Sequence, residues 1–320
     1  MSRGKSSPRP KWSRSELARS ALSNWRAYEN GSMRLITVGE NATWRISSSR
    51  GLAALRIYRP GRWSDEEILT EHRLMNLLGE DFAVSPPLRG KDGETLQVLG
   101  PDRSRAALFP WAKGRLFLRR PSMKKIRALG SYIARMHRRL ESLPIPRAAR
   151  YWDENTLLDG ALEILRDKSR FLPESELTLT WLEELVGYLR ETWRRYSPPL
   201  ALIHADLHFG NIKWSKESLT PIDFDDAGVA PLSYDLGVLA FYCKGARDHH
   251  LLWEELLRAY GTGFHRSLSM GELKLFVAVR TFWLLAWVCD RSDVIEPGEL
   301  RGSVNRFLAD LRAEFKEREH

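Results

Sequence analysis

Only two cysteines occur in 320 residues, Cys243 and Cys289, both in apolar surroundings and at no metal-ligand spacing. That scarcity argues against a disulfide framework or a cysteine-built zinc site, and it fits buried thiols in a reducing cytoplasm. No apolar run approaches the ~18 residues of a spanning helix; the longest, "TFWLLAWVC" at 281–289, is about half that. The N-terminal stretch "MSRGKSSPRPKW" is basic and rich in Pro and Ser, without the apolar segment a secretory signal requires. Internal repeats and low-complexity tracts are absent. So are zinc-finger spacing and RNP-like aromatic motifs, so neither a membrane nor a specific nucleic acid is an expected partner.

What is present is ample material for a core. Apolar residues make up 43% of the chain, 12 of them Trp, and 320 residues suit one large two-lobed domain or two domains. The net charge of +9 is unevenly spread. Residues 201–320 hold 14 Lys and Arg against 18 Asp and Glu, net −4, which leaves +13 on the N-terminal portion. A basic N-terminal portion suits phosphate-rich ligands, nucleotides included.

Short β-rich runs at 33–38, 42–46 and 52–58 are separated by "GEN" and "SSSRG" and predict a small antiparallel sheet. Leu17, Ala21 and Trp25 keep helical spacing before it. Ser64 and Glu67 form a capping box that opens a helix, with Gly79 at its end. Strand-like pieces at 94–99 and 105–109 lead into "PWAKGR". Beyond it Ile126, Leu129, Ile133, Met136 and Leu140 step as an amphipathic helix. Helical patterns cover roughly 155–168, 175–196, 234–243, 250–260, 270–290 and 300–318, and only "LALIH" and "LTPID" read as strands there. The expected layout is an α+β two-lobed fold: a basic flexible tail at 1–12, an N-terminal lobe at 13–108, a hinge at 109–115 and a mainly helical lobe at 116–320.

Glu71 sits amid Ile68, Met75 and Leu78, on the apolar stripe of its helix. An unpaired charge there is costly, and Arg56, alternating with Leu55 and Ile57 on the preceding strand, is the available partner. Such a pair is the geometry of a kinase phosphate clamp. The alternative is that Glu71 snorkels at the helix edge and Arg56 lies on the surface.

"LIHADLHFGN" places His204, Asp206 and His208 within five residues, a spacing that permits a zinc site on one strand face. No second His/Asp cluster supports that reading, and it leaves Asn211 and Asp223 unexplained. Phosphoryl transfer uses all three non-His groups. Asp206 can orient a hydroxyl and take its proton, while Asn211 and Asp223, twelve residues on, supply the hard oxygens that Mg2+ prefers.

These residues resemble the aminoglycoside phosphotransferase/choline kinase family of protein-kinase-like enzymes. "IHADLHFGN" is similar to its catalytic loop and "PIDFDDAGVAPLSYDLGVL" to its metal-binding segment. "LRIYRPGRWSDEEILTEHRLMNLL" resembles the bacterial branch with stress response kinase A and type II homoserine kinases. The resemblance implies ATP and Mg2+ as cofactors, Asp206 as catalytic base and Asn211 and Asp223 as metal ligands. It puts Arg56 in place of a phosphate-contacting Lys, paired with Glu71, and His208 where it would touch the γ-phosphate. Asp235 would brace the catalytic loop with His204, the turn at Gly39 and Asn41 would cover phosphates, and residues 108–111, Phe109 among them, would meet adenine. That turn has a single glycine in place of G-x-G-x-x-G, a departure from the pattern.

The implied function is transfer of the γ-phosphate of ATP to a hydroxyl of a small molecule, with an amino alcohol or aminoglycoside suggested by the acidic helical lobe. The alternative is a serine/threonine protein kinase resembling stress response kinase A. Only nine residues separate Asp225 from Asp235, which leaves no recognisable activation loop.

Overall fold

The computed structural model describes residues 13–100, 103–116, 121–216 and 218–316; the basic stretch 1–12 lies outside them. The chain divides into two compact units. The first runs to Gly114 and takes in Ser215–Asp225; the second comprises Arg115–Trp214 and continues from Asp226. The expected boundaries differ from these in two respects. The hinge expected at 109–115 begins inside a strand, and residues 215–225 leave the expected C-terminal lobe for the first unit. Ion pairs explain the second difference: Asp223 and Asp225 reach Arg56 and Arg62 of that unit.

The first unit contains α1 (Arg14–Leu22), β1 (Ser32–Val38), β2 (Ala42–Ser48), β3 (Gly51–Ile57), α2 (Asp65–Leu78), β4 (Gln97–Leu99) and β5 (Ser104–Pro110). The strands form one antiparallel sheet in the order β1-β2-β3-β5-β4. Capping boxes at Ser13/Glu16 and Ser64/Glu67 start the two helices by satisfying amide donors that the first turn leaves open. Along β3, Ala53, Leu55 and Ile57 enter a core with Trp44, Ile46, Leu108 and the α1 residues Leu17, Ala21 and Leu22. Strand alternation therefore turns Arg56 to the opposite face, where Glu71 of α2 meets it. One face of the sheet carries α1; the other carries the clamp.

The second unit opens with β6 (Arg115–Leu116), α3 (Met123–Glu141), β7 (Arg150–Tyr151), α4 (Ala161–Asp167), α5 (Ser175–Tyr196), β8 (Leu200–Ile203) and β9 (Ile212–Trp214). β10 (Leu219–Pro221) belongs to the first unit. The second resumes with β11 (Gly228–Pro231), α6 (Leu232–Phe241), α7 (His249–Gly263), α8 (Met270–Asp290) and α9 (Pro297–Lys316). β6, β7, β9 and β11 were not expected; at two to four residues they are too short to show a period of two. Likewise only Gln97–Leu99 of the expected 94–99 is paired. Helices pack closely where glycine allows it. A Cβ at Gly130 of α3 would lie 2.8 Å from the Leu256 carbonyl of α7, and one at Gly237 of α6 would lie 2.6 Å from Phe276 of α8. β11 lies between β7, parallel to it, and β8, antiparallel, so β8 delivers the following loop from a fixed scaffold.

Candidate active site

In the second unit the chain leaves β8 into the loop that carries Asp206. Ala205 has φ +65°, a conformation that costs a non-glycine residue energy and persists only where neighbours enforce it. Asp235 of α6 does so: its carboxylate accepts the backbone N–H of His204 at 3.1 Å and of Ala205 at 2.8 Å. Asp235 is fully buried and is itself paired with His137 of α3 at 3.1 Å, whose other ring nitrogen meets the Tyr260 hydroxyl of α7. A brace from three helices thus sets the backbone one residue before Asp206. His204, also fully buried, presents Nδ1 to the Asp206 N–H at 3.4 Å.

Asp206 holds a dense set of partners. Asn211 donates through Nδ2 to the Asp206 backbone carbonyl at 3.0 Å and to Oδ2 at 2.9 Å, and Arg280 of α8 donates to Oδ1 at 2.5 Å. With Nδ2 engaged twice, Oδ1 of Asn211 is the oxygen it can offer to a metal. His208 accepts the Gly210 N–H through Nδ1 at 3.0 Å, which fixes a proton on Nε2, 3.5 Å from Oδ2 of Asp206. Its ring stacks on Tyr242 at 4.4 Å. Burial pushes the Asp206 carboxyl up, but Arg280 beside it and the His208 hydrogen bond outweigh that and hold it down at about 2.

Arg280 lies far from the catalytic-loop motif in sequence. Its link to Asp206 spans 74 positions and has no sequence signal beyond one charge inside the apolar run 275–289 of that helix. That charge is itself the clue. A guanidinium 93% enclosed in a core helix needs a carboxylate, and Asp206 provides it.

The first unit gathers the other predicted residues. Arg56 donates to Glu71 at 2.8 Å and, through its other terminal nitrogen, to Asp223 at 2.8 Å. Its guanidinium lies over Phe109 and Tyr58. Glu71 is buried, so it does not snorkel. Burial opposes the Arg56 charge, and the Glu71 and Asp223 carboxylates keep it protonated well above its ordinary value. The forked side chain explains why arginine serves here, since one lysine nitrogen presents a single point charge where guanidinium reaches two carboxylates in a plane. Asp223 has φ +64° and remains 49% exposed, with a carboxylate open to a cation. We expect Arg56→Ala and Glu71→Ala to be non-additive, with a coupling of about 1–3 kcal/mol in denaturant unfolding; simple additivity would dismiss the pair.

The turn between β1 and β2 is closed by the Gly39 N–H to the Asn41 carbonyl at 3.1 Å, and the Asn41 side chain accepts the Arg59 N–H at 3.1 Å. A Cβ at Gly39 would meet open space, so packing does not require glycine there, while a ligand approaching the backbone would. Glu40 between them pairs with Arg62. Phe109 presents its ring edge-on to His72 at 5.9 Å. Among the described residues no group of three His, Cys, Asp or Glu is placed to hold a metal, so the His204/Asp206/His208 reading has no support. Asn211 and Asp223 are oxygen donors whose chemistry fits Mg2+. No helix among the described residues is long and apolar enough to cross a membrane.

The chain is similar to stress response kinase A of Salmonella paratyphi A (strain ATCC 9150 / SARB42), 29% identical over 79% of this chain and 75% of the relative. The same kinase of Escherichia coli (strain K12) is 28% identical with the same coverage. Among solved structures, a microcompartment-associated aminopropanol kinase superposes with a TM-score of 0.75 at 20% identity, over 95% of this chain and 98% of that one. An amicoumacin kinase in complex with AMP-PNP and Ca2+ gives 0.74 at 17% identity, over 95% and 94%. A spectinomycin phosphotransferase with ADP gives 0.65 at 14%, over 88% and 92%. These structural likenesses show the fold: an antiparallel sheet unit followed by a mainly helical one. With residues 33–271 matching it, the chain belongs to the phosphotransferase enzyme family.

Proposed function

We propose that the protein is an ATP- and Mg2+-dependent kinase that transfers the γ-phosphate to a hydroxyl of a small molecule. The observation that carries this reading is the Asp206 carboxylate, held ionised by Arg280 and oriented by Asn211 on a loop braced by Asp235. Phosphoryl transfer passes through a loose transition state, so the hydroxyl needs positioning more than strong deprotonation. A carboxylate of low basicity meets that need. It accepts the hydrogen bond of the hydroxyl, aims the oxygen at phosphorus, and takes the proton as the new O–P bond forms.

Asn211 through Oδ1 and Asp223 through its open carboxylate would hold Mg2+, which when bound neutralises charge across the phosphates. Arg56 fixes Asp223 for that role, and Glu71 fixes Arg56. His208, with its Nε2 proton set by the Gly210 bond at Nδ1, would donate to the γ-phosphate. The backbone of the turn at Gly39 and Asn41 and of the strand at Phe109 would meet the phosphates and adenine. Asp223→Ala is expected to abolish most of the rise in melting temperature caused by ATP with Mg2+; a shift equal to wild type would remove the metal assignment.

A small-molecule acceptor is supported by the short path after the metal segment. Residues 228–231 form β11 and α6 starts at Leu232, so no extended segment remains there to hold a peptide. A serine/threonine protein kinase is the second reading. It is favoured by the similarity to stress response kinase A over 79% of the chain, and one such relative, from Salmonella typhimurium, is named serine/threonine protein kinase. Labelled ATP offered with amino alcohols, aminoglycosides, sugars and a generic protein separates the two. Label in a small molecule supports the first, label in protein the second, and no transfer or ADP release with any acceptor sinks both.

A further inference from the structure

A second charged feature lies in the first unit, away from every residue used above. Trp25, Arg26, Tyr28, Arg50, Arg89 and Lys91 line most of a pocket of about 670 Å³. Trp25 belongs to the core on the α1 side of the sheet, and the partly buried Tyr28 and Leu88 pack against it. Arg56 and Phe109 point to the opposite face, so this pocket shares neither residues nor sheet face with the clamp.

The pocket is assembled from three chain segments stitched together by hydrogen bonds. The Trp25 indole donates to the Leu88 carbonyl at 3.0 Å, the Lys91 N–H donates to the Asn24 carbonyl at 2.8 Å, and the Leu88 N–H donates to Leu108 at 2.7 Å. Arg50 comes from the tight β2–β3 turn, where Gly51 has φ +110°. Arg89 is steadied by a bond to the Gly93 carbonyl at 2.8 Å. Rigid placement of this kind lowers the ordering cost of binding.

The cations of the pocket are only partly neutralised. Arg26, Arg50 and Arg89 make no direct ion pair with a described carboxylate, although Glu29, paired with Lys91 at 2.7 Å, also lies in the field of Arg26. The nearby Asp92 is turned away, its oxygen taken by the Glu94 N–H and the Gln97 amide. Three like charges gathered on one cavity repel each other, and an anion relieves that repulsion. Guanidinium forks match phosphate oxygens bidentately, and the volume falls in the ~300–1,000 Å³ range of small-molecule sites.

We propose that this pocket binds a small polyanion built on a chain of phosphates, independently of the nucleotide that the kinase reading requires. The test is calorimetric titration of the full-length protein with sodium tripolyphosphate, in magnesium-free buffer, with GTP as a second arm. Replacing all three arginines (Arg26→Gln, Arg50→Gln, Arg89→Gln) should weaken tripolyphosphate at least tenfold, whereas Arg56→Gln should leave it within about twofold. If GTP binds as tightly as tripolyphosphate and is lost in the same variant, the phosphate chain alone is read. If GTP binds more tightly and is lost there, Tyr28 adds contact to a base. Either result supports the site. Unchanged tripolyphosphate affinity in the triple variant, or no binding by the wild-type protein at millimolar concentration, overturns it. All three residues are exposed, so the variant should fold; should it not, Arg50→Gln alone carries the test with a severalfold loss. A failed kinase assay with intact tripolyphosphate binding would leave this site standing.

Discussion

Asp206→Asn is expected to lower kcat by about 10²–10⁴, the range removed with a general base. The neutral amide fits the space but cannot satisfy its neighbours. If its oxygen keeps the Arg280 bond, its NH2 faces the Nδ2 donor of Asn211 at Oδ2, two donors in contact. If the amide flips, its NH2 meets the guanidinium instead. One partner is lost either way, and the hydroxyl-orienting charge is lost in both. Nucleotide binding, read as the ATP-induced rise in melting temperature, should fall far less than turnover. Activity within tenfold of wild type would take Asp206 out of the chemistry.

Arg280→Met should produce the largest loss of stability at the site. Methionine fills similar volume in α8 but leaves the Asp206 carboxylate enclosed without its cation. Breaking one side of such a pair costs about 3–5 kcal/mol. The pH dependence has a definite sign. Asp206 titrates near 2 in the folded protein, below its ordinary 3.8, so its contribution is present above about pH 4 and is lost as pH falls toward 2. Without Arg280 the largest remaining effect is burial, which raises the carboxyl, and protonation then relieves the unpaired charge. The gap between variant and wild type in nucleotide-free protein should therefore be wide at pH 7 and narrower at pH 4. Equal gaps at both pH values in denaturant unfolding would show that Arg280 acts by packing alone. Arg280→Lys, which keeps the charge and loses the fork, should recover part of the stability.

Local pattern was enough for much of the fold. Alternation over 42–57 defined β2 and β3, because one face meets a core and the other does not. The capping box at Ser64 and Glu67 set the start of α2, and the stripe through Ile126 and Leu140 set α3. The same logic exposed Glu71, whose position in an apolar stripe demanded a cation. Strands of two to four residues stayed hidden because they carry no period. The reach of the first unit to 215–225 stayed hidden because it rests on ion pairs made far along the chain.

The chemistry on offer is legible in the chain alone. A carboxylate, an amide and a second carboxylate at short fixed spacing, Asp206, Asn211 and Asp223, are local facts of the chain. Tertiary structure decided how those groups are held. Arg280, buried on an apolar helix, had no periodic face to announce its target, and only the packing of α8 brings it to Asp206. The Arg56 fork reaches Asp223 across 167 positions, and three separate segments converge to bring Arg26, Arg50 and Arg89 to one pocket. Contacts between residues distant in sequence depend on how whole elements pack, and periodicity and spacing report only on neighbours along the chain.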